Sequence, residues 1–233
     1  MIYITGDTHG SFKRIKEFCI ENNTTTSDIL IILGDAGINY SGYRYDLDMK
    51  RYIQKLPITL FCIHGNHEQR PQTICTYEEK EFYEGIAYIE PEFPNIVFGK
   101  DGEIYNFDGY KAIVIGGAYS VDKYYRIARG YKWFDDEQPS SEIKSYVQKQ
   151  LESVDWKLDV VLSHTTPYQY MPVEMFLSGI DQRKVDNSTE LWLQEIEKQL
   201  TYIRWYCGHF HTEKKVDAIE IKFEEIAPFM FQN

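Results

Sequence analysis

Short apolar runs, separated by polar or glycine-containing turns, recur along the chain and predict buried β-strands. These runs occupy residues 1–5, 29–33, 58–63, 112–115, 160–162 and 203–207. Between several of them, apolar residues recur at intervals of three and four, which predicts helices. The predicted helices begin after Ser11, after Asp46, near Ser140 and near Asn187, where Glu190 completes a pattern resembling a capping box. The alternation of strands and helices predicts an α/β fold.

Two further segments have a different character. Residues 84–109 are rich in Pro, Gly and Phe without a clear period, and we expect loops and short strands there. Residues 218–226 alternate apolar and charged side chains, which predicts an antiparallel strand near a sheet edge. The sheets should therefore be mixed. Because no linker-like tract and no repeat interrupts the pattern, we expect a single domain over residues 1–233.

Composition restricts the function classes. Among 233 residues, 25 are Lys or Arg and 36 are Asp or Glu, a formal net charge of −11, while 43% are hydrophobic. That hydrophobic share suits a folded globular protein, and the acidic excess opposes binding to long nucleic acids or to an anionic membrane. The four cysteines show no CxxC spacing, and no signal peptide is visible, so we expect a reduced, cytoplasmic protein. Nothing in the sequence indicates an oligomeric state.

All six histidines directly follow apolar, strand-like runs, and Asp7, Asp35 and Asn66 do the same. In open α/β sheets, ligands bind beyond the carboxyl ends of the strands, so these side chains should meet there if the strands are neighbours. Carboxylate, imidazole and amide groups suit Mn, Fe, Zn or Ni. Because these groups exceed what one ion needs, the sequence predicts two divalent ions, as in sites that carry out displacement at phosphorus.

Five blocks carry a resemblance to a known family. They are Gly6-Asp7-Thr8-His9-Gly10, Gly34-Asp35, Gly65-Asn66-His67-Glu68, the strand-end His164, and Gly208-His209-Phe210-His211. In this order they resemble the signature of the calcineurin-like metallophosphoesterases, and most closely the small bacterial and phage-type members. The resemblance implies a four-layer α/β/β/α sandwich of two mixed sheets with flanking helices and a metal site at the carboxyl ends of the strands.

The resemblance also implies roles for individual residues. Asp35 would bridge two ions, of which the first is held by Asp7, His9 and His211, and the second by Asn66, His164 and His209. A hydroxide between the ions would be the nucleophile. His67 would be the catalytic residue, which donates a proton to the leaving oxygen or steadies the phosphoryl charge.

One departure from the family pattern concerns substrate binding. Phosphoprotein phosphatases of this superfamily extend the second block to GDxxDRG, whose arginine holds phosphate oxygens, whereas residues 34–39 here read Gly-Asp-Ala-Gly-Ile-Asn. The segment after Gly116-Gly117 is rich in basic and aromatic residues, and we expect substrate contacts from Tyr119, Lys123 and Arg126. The alternative for that segment is a tight turn leading into an amphipathic surface stretch.

The leading hypothesis is a dinuclear metal-dependent phosphoesterase that hydrolyses a phosphomonoester or phosphodiester. Alternatives within the superfamily are a protein Ser/Thr phosphatase, which the missing arginine disfavours, and a nucleotide or dinucleoside polyphosphate hydrolase. A binding module without turnover is the non-enzyme alternative, although every matched ligand and His67 are present. Two divalent ions would make the site locally cationic on an acidic body, so we expect small or short phosphate esters as substrates.

Two residues of the third block have open roles. His64 precedes the matched motif, and we expect a structural role or one that orients a ligand by a hydrogen bond. Glu68 is either a solvated acid or a group that holds the imidazole of His67 in one orientation.

Overall fold

Two mixed β-sheets and five α-helices form the part of the chain that the computed structural model describes, residues 1–176 and 179–230. The first sheet contains β1 (Ile2–Thr5), β2 (Ile29–Ile32), β3 (Thr59–Cys62), β4 (Glu78–Phe82), β5 (Gly85–Ile89), β6 (Ile96–Gly99) and β13 (Ala227–Pro228). The second contains β7 (Ile104–Phe107), β8 (Tyr110–Ile115), β9 (Val160–Ser163), β10 (Arg204–Cys207), β11 (Lys214–Val216) and β12 (Ile219–Ile221). The helices are α1 (Lys13–Asn22), α2 (Tyr43–Ile53), α3 (Lys123–Arg129), α4 (Ser141–Ser153) and α5 (Ser188–Glu197).

Each sheet has a parallel centre and antiparallel edges. The first sheet has the order β13-β1-β2-β3-β6-β5-β4, in which β1, β2, β3 and β6 are parallel. The second has the order β11-β12-β10-β9-β8-β7, in which β12, β10, β9 and β8 are parallel. The parallel strands β2, β3 and β9 are buried on both faces and are largely apolar, which is why the sequence pattern identified them.

The sheets pack face to face with helices on their outer sides. Between the sheets, Phe61 of β3 packs edge-on against Tyr105 of β7, with ring centroids 4.9 Å apart. Ile15 of α1 and Ile53 of α2 lie against the outer face of the first sheet. Val147 of α4, together with α5, covers the outer face of the second sheet. The predicted four-layer α/β/β/α architecture is therefore confirmed.

The predicted helix starts meet different outcomes. Ser140 is the N-cap of α4, and its Oγ accepts a hydrogen bond from the Ile143 N–H at 3.3 Å. Helix α2 begins at Tyr43 instead of after Asp46. The Asp46 carboxylate lies inside the first turn, where it accepts bonds from the N–H groups of Ser41 and Gly42 at 2.8 and 2.9 Å. An acid in the first turn stabilises a helix start, which explains the misplaced boundary.

Helix α5 starts after Asn187 as predicted, but the capping box does not form. The Asn187 side chain makes no capping hydrogen bond. Asp186 takes over part of that role, because its Oδ1 accepts a bond from the Ser188 N–H at 3.0 Å. Glu190 is only 4% exposed and does not reach back to the helix start. Tertiary packing has drawn this side chain into the interior.

The prediction for residues 218–226 was partly wrong. Strand β12 covers only Ile219–Ile221 and runs parallel to β10, while its antiparallel neighbour β11 takes the sheet edge. The chain then leaves the second sheet, and the carbonyl of Phe223 accepts a hydrogen bond from the Gly6 N–H at 3.1 Å. The alternation beyond Ile221 therefore belongs to a connection between the sheets.

Residues 84–109 form short strands and turns, as expected, and supply β5, β6 and β7. The exposed strand β4 and helix α3 were not predicted, because neither carries a clear apolar period. No helix that the structure describes has the length and apolar character needed to cross a bilayer.

Candidate metal centre

The predicted site residues meet where the parallel strands of both sheets end. Asp7, Asp35 and Asn66 follow β1, β2 and β3, and His164 and His209 follow β9 and β10. The carboxyl ends of the two sheets thus face one another across a single site, which brings Asp7 and His209 together although they are 202 positions apart. This convergence requires both the parallel pairing within each sheet and the packing between sheets.

One group of candidate ligands is open to solvent. A carboxylate oxygen of Asp7 and one ring nitrogen each of His9 and His211 lie within 4.8 Å of one another. The two Nε2 atoms are 2.8 Å apart, and Asp7 Oδ2 is 3.2 Å from His211 Nε2 and 3.7 Å from His9 Nε2. The Asp7 side chain is fully buried, whereas those of His9 and His211 are 38% and 50% exposed. These three atoms could hold one ion.

The second group lies around Asn66, which is buried together with His164, whereas His209 is partly buried. The Oδ1 of Asn66 lies 2.8 Å from His164 Nε2 and 3.0 Å from His209 Nδ1. Asp35 lies between the two groups, because its Oδ1 is 3.7 Å from His164 Nε2 and its Oδ2 is 3.8 Å from His9 Nδ1. The geometry therefore allows Asp35 to be shared. The division into two ligand sets stays a prediction.

Hydrogen bonds fix the orientation of two candidate ligands. The Nδ1 of His164 is 2.7 Å from the carbonyl oxygen of Leu33. Because a carbonyl oxygen only accepts hydrogen bonds, Nδ1 carries the proton, and the lone pair of Nε2 is left to coordinate an ion. The amide nitrogen of Asn66 donates to Ser120 Oγ at 2.9 Å, which turns its oxygen toward the site. A backbone carbonyl and a loop hydroxyl thus hold the two ligands in one orientation.

The backbone of the site is strained. His9, Asp35, His209 and His211 have φ angles of 46°, 49°, 69° and 49°. Residues with a Cβ rarely adopt this left-handed region, and such conformations cost about 1–3 kcal/mol each. Four of the seven candidate ligands share this feature. The surrounding fold therefore holds these residues in backbone conformations that they would rarely adopt by themselves.

At two positions of the motifs, a neighbouring residue approaches the backbone so closely that only glycine fits. A Cβ on Gly34 would lie 2.1 Å from the ring nitrogen Nδ1 of His164, and φ at this glycine is +97°. A Cβ on Gly65 would lie 2.1 Å from the backbone nitrogen of Asp35. Each glycine therefore makes room for a ligand contributed by another block. This explains why glycine precedes the ligands in the sequence.

Arg14 is a supporting residue that the sequence did not reveal. Its Nη2 donates hydrogen bonds to the carbonyl oxygens of Asp7 and Phe223 at 2.9 and 3.0 Å. The residue lies on α1 and joins the loop after β1 to the connection that follows β12. No local pattern marks it, because its partners are carbonyl groups and one of them is 209 residues away.

The electrostatics of the candidate ligands favour a cation. Burial, together with the nearby Asp7 carboxylate, raises the pKa of Asp35 well above its usual range. Burial by itself would also raise the pKa of Asp7, but the close His211 imidazole and the nearby His164 hold it below its usual value. Two buried carboxylates and converging imidazole nitrogens form a donor set that fits divalent transition metals. The residues present therefore fit the ions that the sequence predicts.

His67 lies beside this donor set. Its backbone N–H donates to Asp35 Oδ1 at 2.8 Å, and its Nε2 lies 3.8 Å from Asp35 Oδ2. The side chain is 20% exposed and lines a cavity. Burial, followed by the charge of Arg126, lowers the pKa of His67 to about 3 in the metal-free protein. The imidazole is therefore neutral and available as an N–H donor.

Glu68 meets neither of the two expectations for it. Its side chain is fully buried, and its Oε1 and Oε2 accept bonds from the N–H groups of Gly65 and Gly37 at 3.0 and 3.1 Å. It is neither solvated nor bonded to His67. Burial, together with Asp35, raises its pKa to about 8. Glu68 thus ties together the loops that carry Asp35 and Asn66.

His64 has a structural position. The side chain is 2% exposed, and its ring nitrogens make no hydrogen bond within the part of the chain that the structure describes. Its carbonyl oxygen accepts a bond from the Gly117 N–H at 2.8 Å, which links the ends of β3 and β8. The structural role is supported, whereas a hydrogen bond to a metal ligand is not observed.

Replacing Glu68 with Ala is expected to lower the free energy of unfolding by about 2–4 kcal/mol, because the buried N–H of Gly65 and the partly buried N–H of Gly37 lose their acceptor. Glu68→Gln should cost less than Glu68→Ala, since one acceptor oxygen remains. Glu81→Ala on the exposed strand β4 is the matched control and should change stability by less than about 0.5 kcal/mol. Denaturant unfolding of the metal-free proteins measures all three. Equal stabilities for Glu68→Ala and Glu81→Ala would contradict this role.

A cavity of about 420 Å³ opens beside the candidate ligands. Tyr119, predicted as a substrate contact, lines it. Lys123 and Arg126 are absent from its described lining: Lys123 Nζ lies over the Trp133 ring at 4.0 Å, and Arg126 pairs with Asp122 at 2.7 Å. The charge of Arg126 nonetheless reaches His67, as the lowered pKa shows. The substrate contacts of these three residues stay a prediction.

The sequence matches the family described as calcineurin-like phosphoesterase over residues 1–213. No match was found among curated proteins. One solved structure shares 16% identity with this chain, and the match covers 95% of this chain and 88% of the other. Its TM-score of 0.51 supports the two-sheet α/β fold described above. The crystal structure of TT1561 from Thermus thermophilus shares 11% identity over 95% of this chain and 87% of its own, with a TM-score of 0.49. Because the family match extends over residues 1–213, the chain belongs to the calcineurin-like phosphoesterase family.

Proposed function

We propose that the protein is a dinuclear metal-dependent phosphoesterase that hydrolyses small or short phosphomonoesters or phosphodiesters. The observation that carries the proposal is the convergence of two donor groups on Asp35, next to a cavity that also contains His67. Family membership supports a hydrolase that acts on phosphate esters. The cavity supports an organic leaving group of limited size.

The proposed ions would be held by the two groups that meet at Asp35. Asp7, His9 and His211 would hold the first, and Asn66, His164 and His209 the second. When bound, divalent ions supply Lewis acidity that activates water and neutralises phosphoryl charge. The Leu33 carbonyl and Ser120 hold His164 and Asn66 in the orientation this requires. Mn, Fe, Zn and Ni all suit these nitrogen and oxygen donors.

The reaction exchanges one bond at phosphorus for another. A water oxygen forms a bond to phosphorus, the bond between phosphorus and the ester oxygen breaks, and the leaving oxygen gains a proton as the alcohol departs. His67 faces the cavity and can place its N–H on the leaving oxygen or on a phosphoryl oxygen. Its backbone bond to Asp35 fixes its distance from the metal centre.

A screen of phosphomonoesters, phosphodiesters and nucleotides with metal-free protein tests the proposal. Activity is expected only after a divalent transition metal is added, and a chelator should remove it, because four of the candidate ligands, Asp35, Asn66, His209 and His211, line the cavity. Hydrolysis that a chelator does not affect would contradict a metal mechanism. A protein that binds two metals and is inert toward every ester would favour the alternative of a binding module.

A further inference from the structure

The cavity beside the candidate metal centre is lined by two chemically different sets of side chains. The first set is Asp35, Asn66, His67, His209 and His211. The second set, which we call the apolar wall, comes from four separate segments and includes Val121, Met171, Phe176, Val185 and Phe210. Phe176 and Phe210 stack with ring centroids 6.4 Å apart. A phosphoryl group held by the candidate ligands would therefore leave the rest of its ester in a cavity that also contains the apolar wall.

The apolar wall includes side chains that the fold leaves uncovered. Val121 is 43% exposed and Met175 is 51% exposed, and both line the cavity. Apolar side chains that remain exposed around a concave surface mark a site that an apolar ligand can cover. A second cavity, of about 410 Å³, shares Met171 and Phe176 with the first, so the apolar surface continues beyond it.

The charged groups of the lining all have the same sign. Among the described lining residues there is no Lys and no Arg, and the charged ones are Asp35, Asp122, Asp186 and Glu190. Asp186 Oδ2 accepts a bond from Gln138 at 3.1 Å, and Glu190 is buried at 4% exposure. A second anionic group on the substrate would lose its hydration against the apolar wall, and the described lining residues offer it no Lys or Arg side chain.

We propose that the apolar wall binds the leaving group, and that the preferred substrate is a phosphate ester of an apolar, preferably aromatic alcohol without a second anionic group. This inference rests on the proposed function, since it assigns the leaving-group side of the same site. Aromatic rings suit a wall made of Phe and Met side chains. Polyphosphates and carboxylated esters are disfavoured against this wall.

The test compares alcohols and esters matched in shape. Benzyl alcohol and 4-(hydroxymethyl)benzoate are titrated into metal-free protein whose methionine methyl groups carry ¹³C, because Met171 and Met175 line the cavity. Met171→Leu identifies one of the two signals. Benzyl alcohol is expected to shift these signals with an affinity about tenfold or more above that of the carboxylate, a difference of about 1.4 kcal/mol. With metal added, kcat/KM for benzyl phosphate should exceed that for 4-carboxybenzyl phosphate by a similar factor.

A positive charge introduced among the lining residues gives a second test of the preference for benzyl alcohol over the carboxylate. Gln182 lines the cavity, and Gln182→Lys adds a cation there; Gln148→Lys makes the same change on the exposed side of α4. Gln182→Lys should reduce the discrimination against the carboxylate by about threefold or more, and Gln148→Lys should leave it unchanged.

Equal binding of the two alcohols, or the same discrimination in Gln182→Lys as in wild type, would overturn the inference even if every ester is hydrolysed. The protein could instead discriminate between the alcohols but hydrolyse no phosphate ester with any metal. That result would contradict the proposed function and would still support the preference of the cavity for an apolar group.

Discussion

Asp35→Asn is expected to lower kcat/KM by about a thousandfold or more and to reduce the metal content of the purified protein. Asp35 is the carboxylate that lies between both donor groups, 3.7 Å from His164 Nε2 and 3.8 Å from His9 Nδ1. An amide keeps the shape and the bond from the His67 N–H but removes the charge that a pair of cations needs. Metal analysis and steady-state kinetics measure both effects.

Stability separates this loss from misfolding. In the metal-free protein the pKa of Asp35 is raised by burial and by Asp7, so ionisation opposes folding as the pH rises above the usual carboxylate range. Metal-free Asp35→Asn should therefore be at least as stable at pH 7 as metal-free wild type. Asp48→Asn, on the exposed side of α2, is the matched control and should change neither activity nor metal content. Full activity in Asp35→Asn would exclude a bridging role.

His67→Ala is expected to lower kcat by about 10²–10⁴-fold while both metals remain bound, which is the range typical of a positioned proton-transfer group. His67 lies beside the donor atoms, its Nε2 is 3.8 Å from Asp35 Oδ2, and it faces the cavity. The backbone bond from His67 N to Asp35 does not depend on the side chain, so the metal centre should survive the change. Kinetics and metal analysis on the same preparation test this.

The choice of ester distinguishes the two possible roles of His67. If the imidazole protonates the leaving oxygen, the loss should be large for alkyl or benzyl phosphates and small for 4-nitrophenyl phosphate, whose leaving group is stable without a proton. If it steadies the phosphoryl charge, both esters should lose rate equally. Loss of metal together with activity would show instead that His67 supports the centre. An unchanged kcat for both esters would remove it from the catalytic machinery.

Much of the fold follows from local pattern. The six predicted strand runs all contain or overlap a strand of the structure, because parallel strands buried on both faces must be continuously apolar. Their neighbours were less predictable. The exposed strand β4 has no apolar period, and the alternation after Ile221 forms part of a connection instead of a strand. Glu190 fits a capping box by spacing, yet packing buries it beside the cavity.

The sequence by itself determined which residues stand at the ends of buried strands, and thereby the family and the candidate ligands, because ligand and strand are adjacent along the chain. Only the tertiary structure decided which ligands meet. His9 and His211 are 202 residues apart, and their approach depends on sheet packing that no local segment encodes. The same holds for the Leu33 carbonyl that orients His164 and for Arg14 and Glu68, which bond to backbone groups. Backbone groups are alike at every position, so contacts to them leave no mark in the sequence.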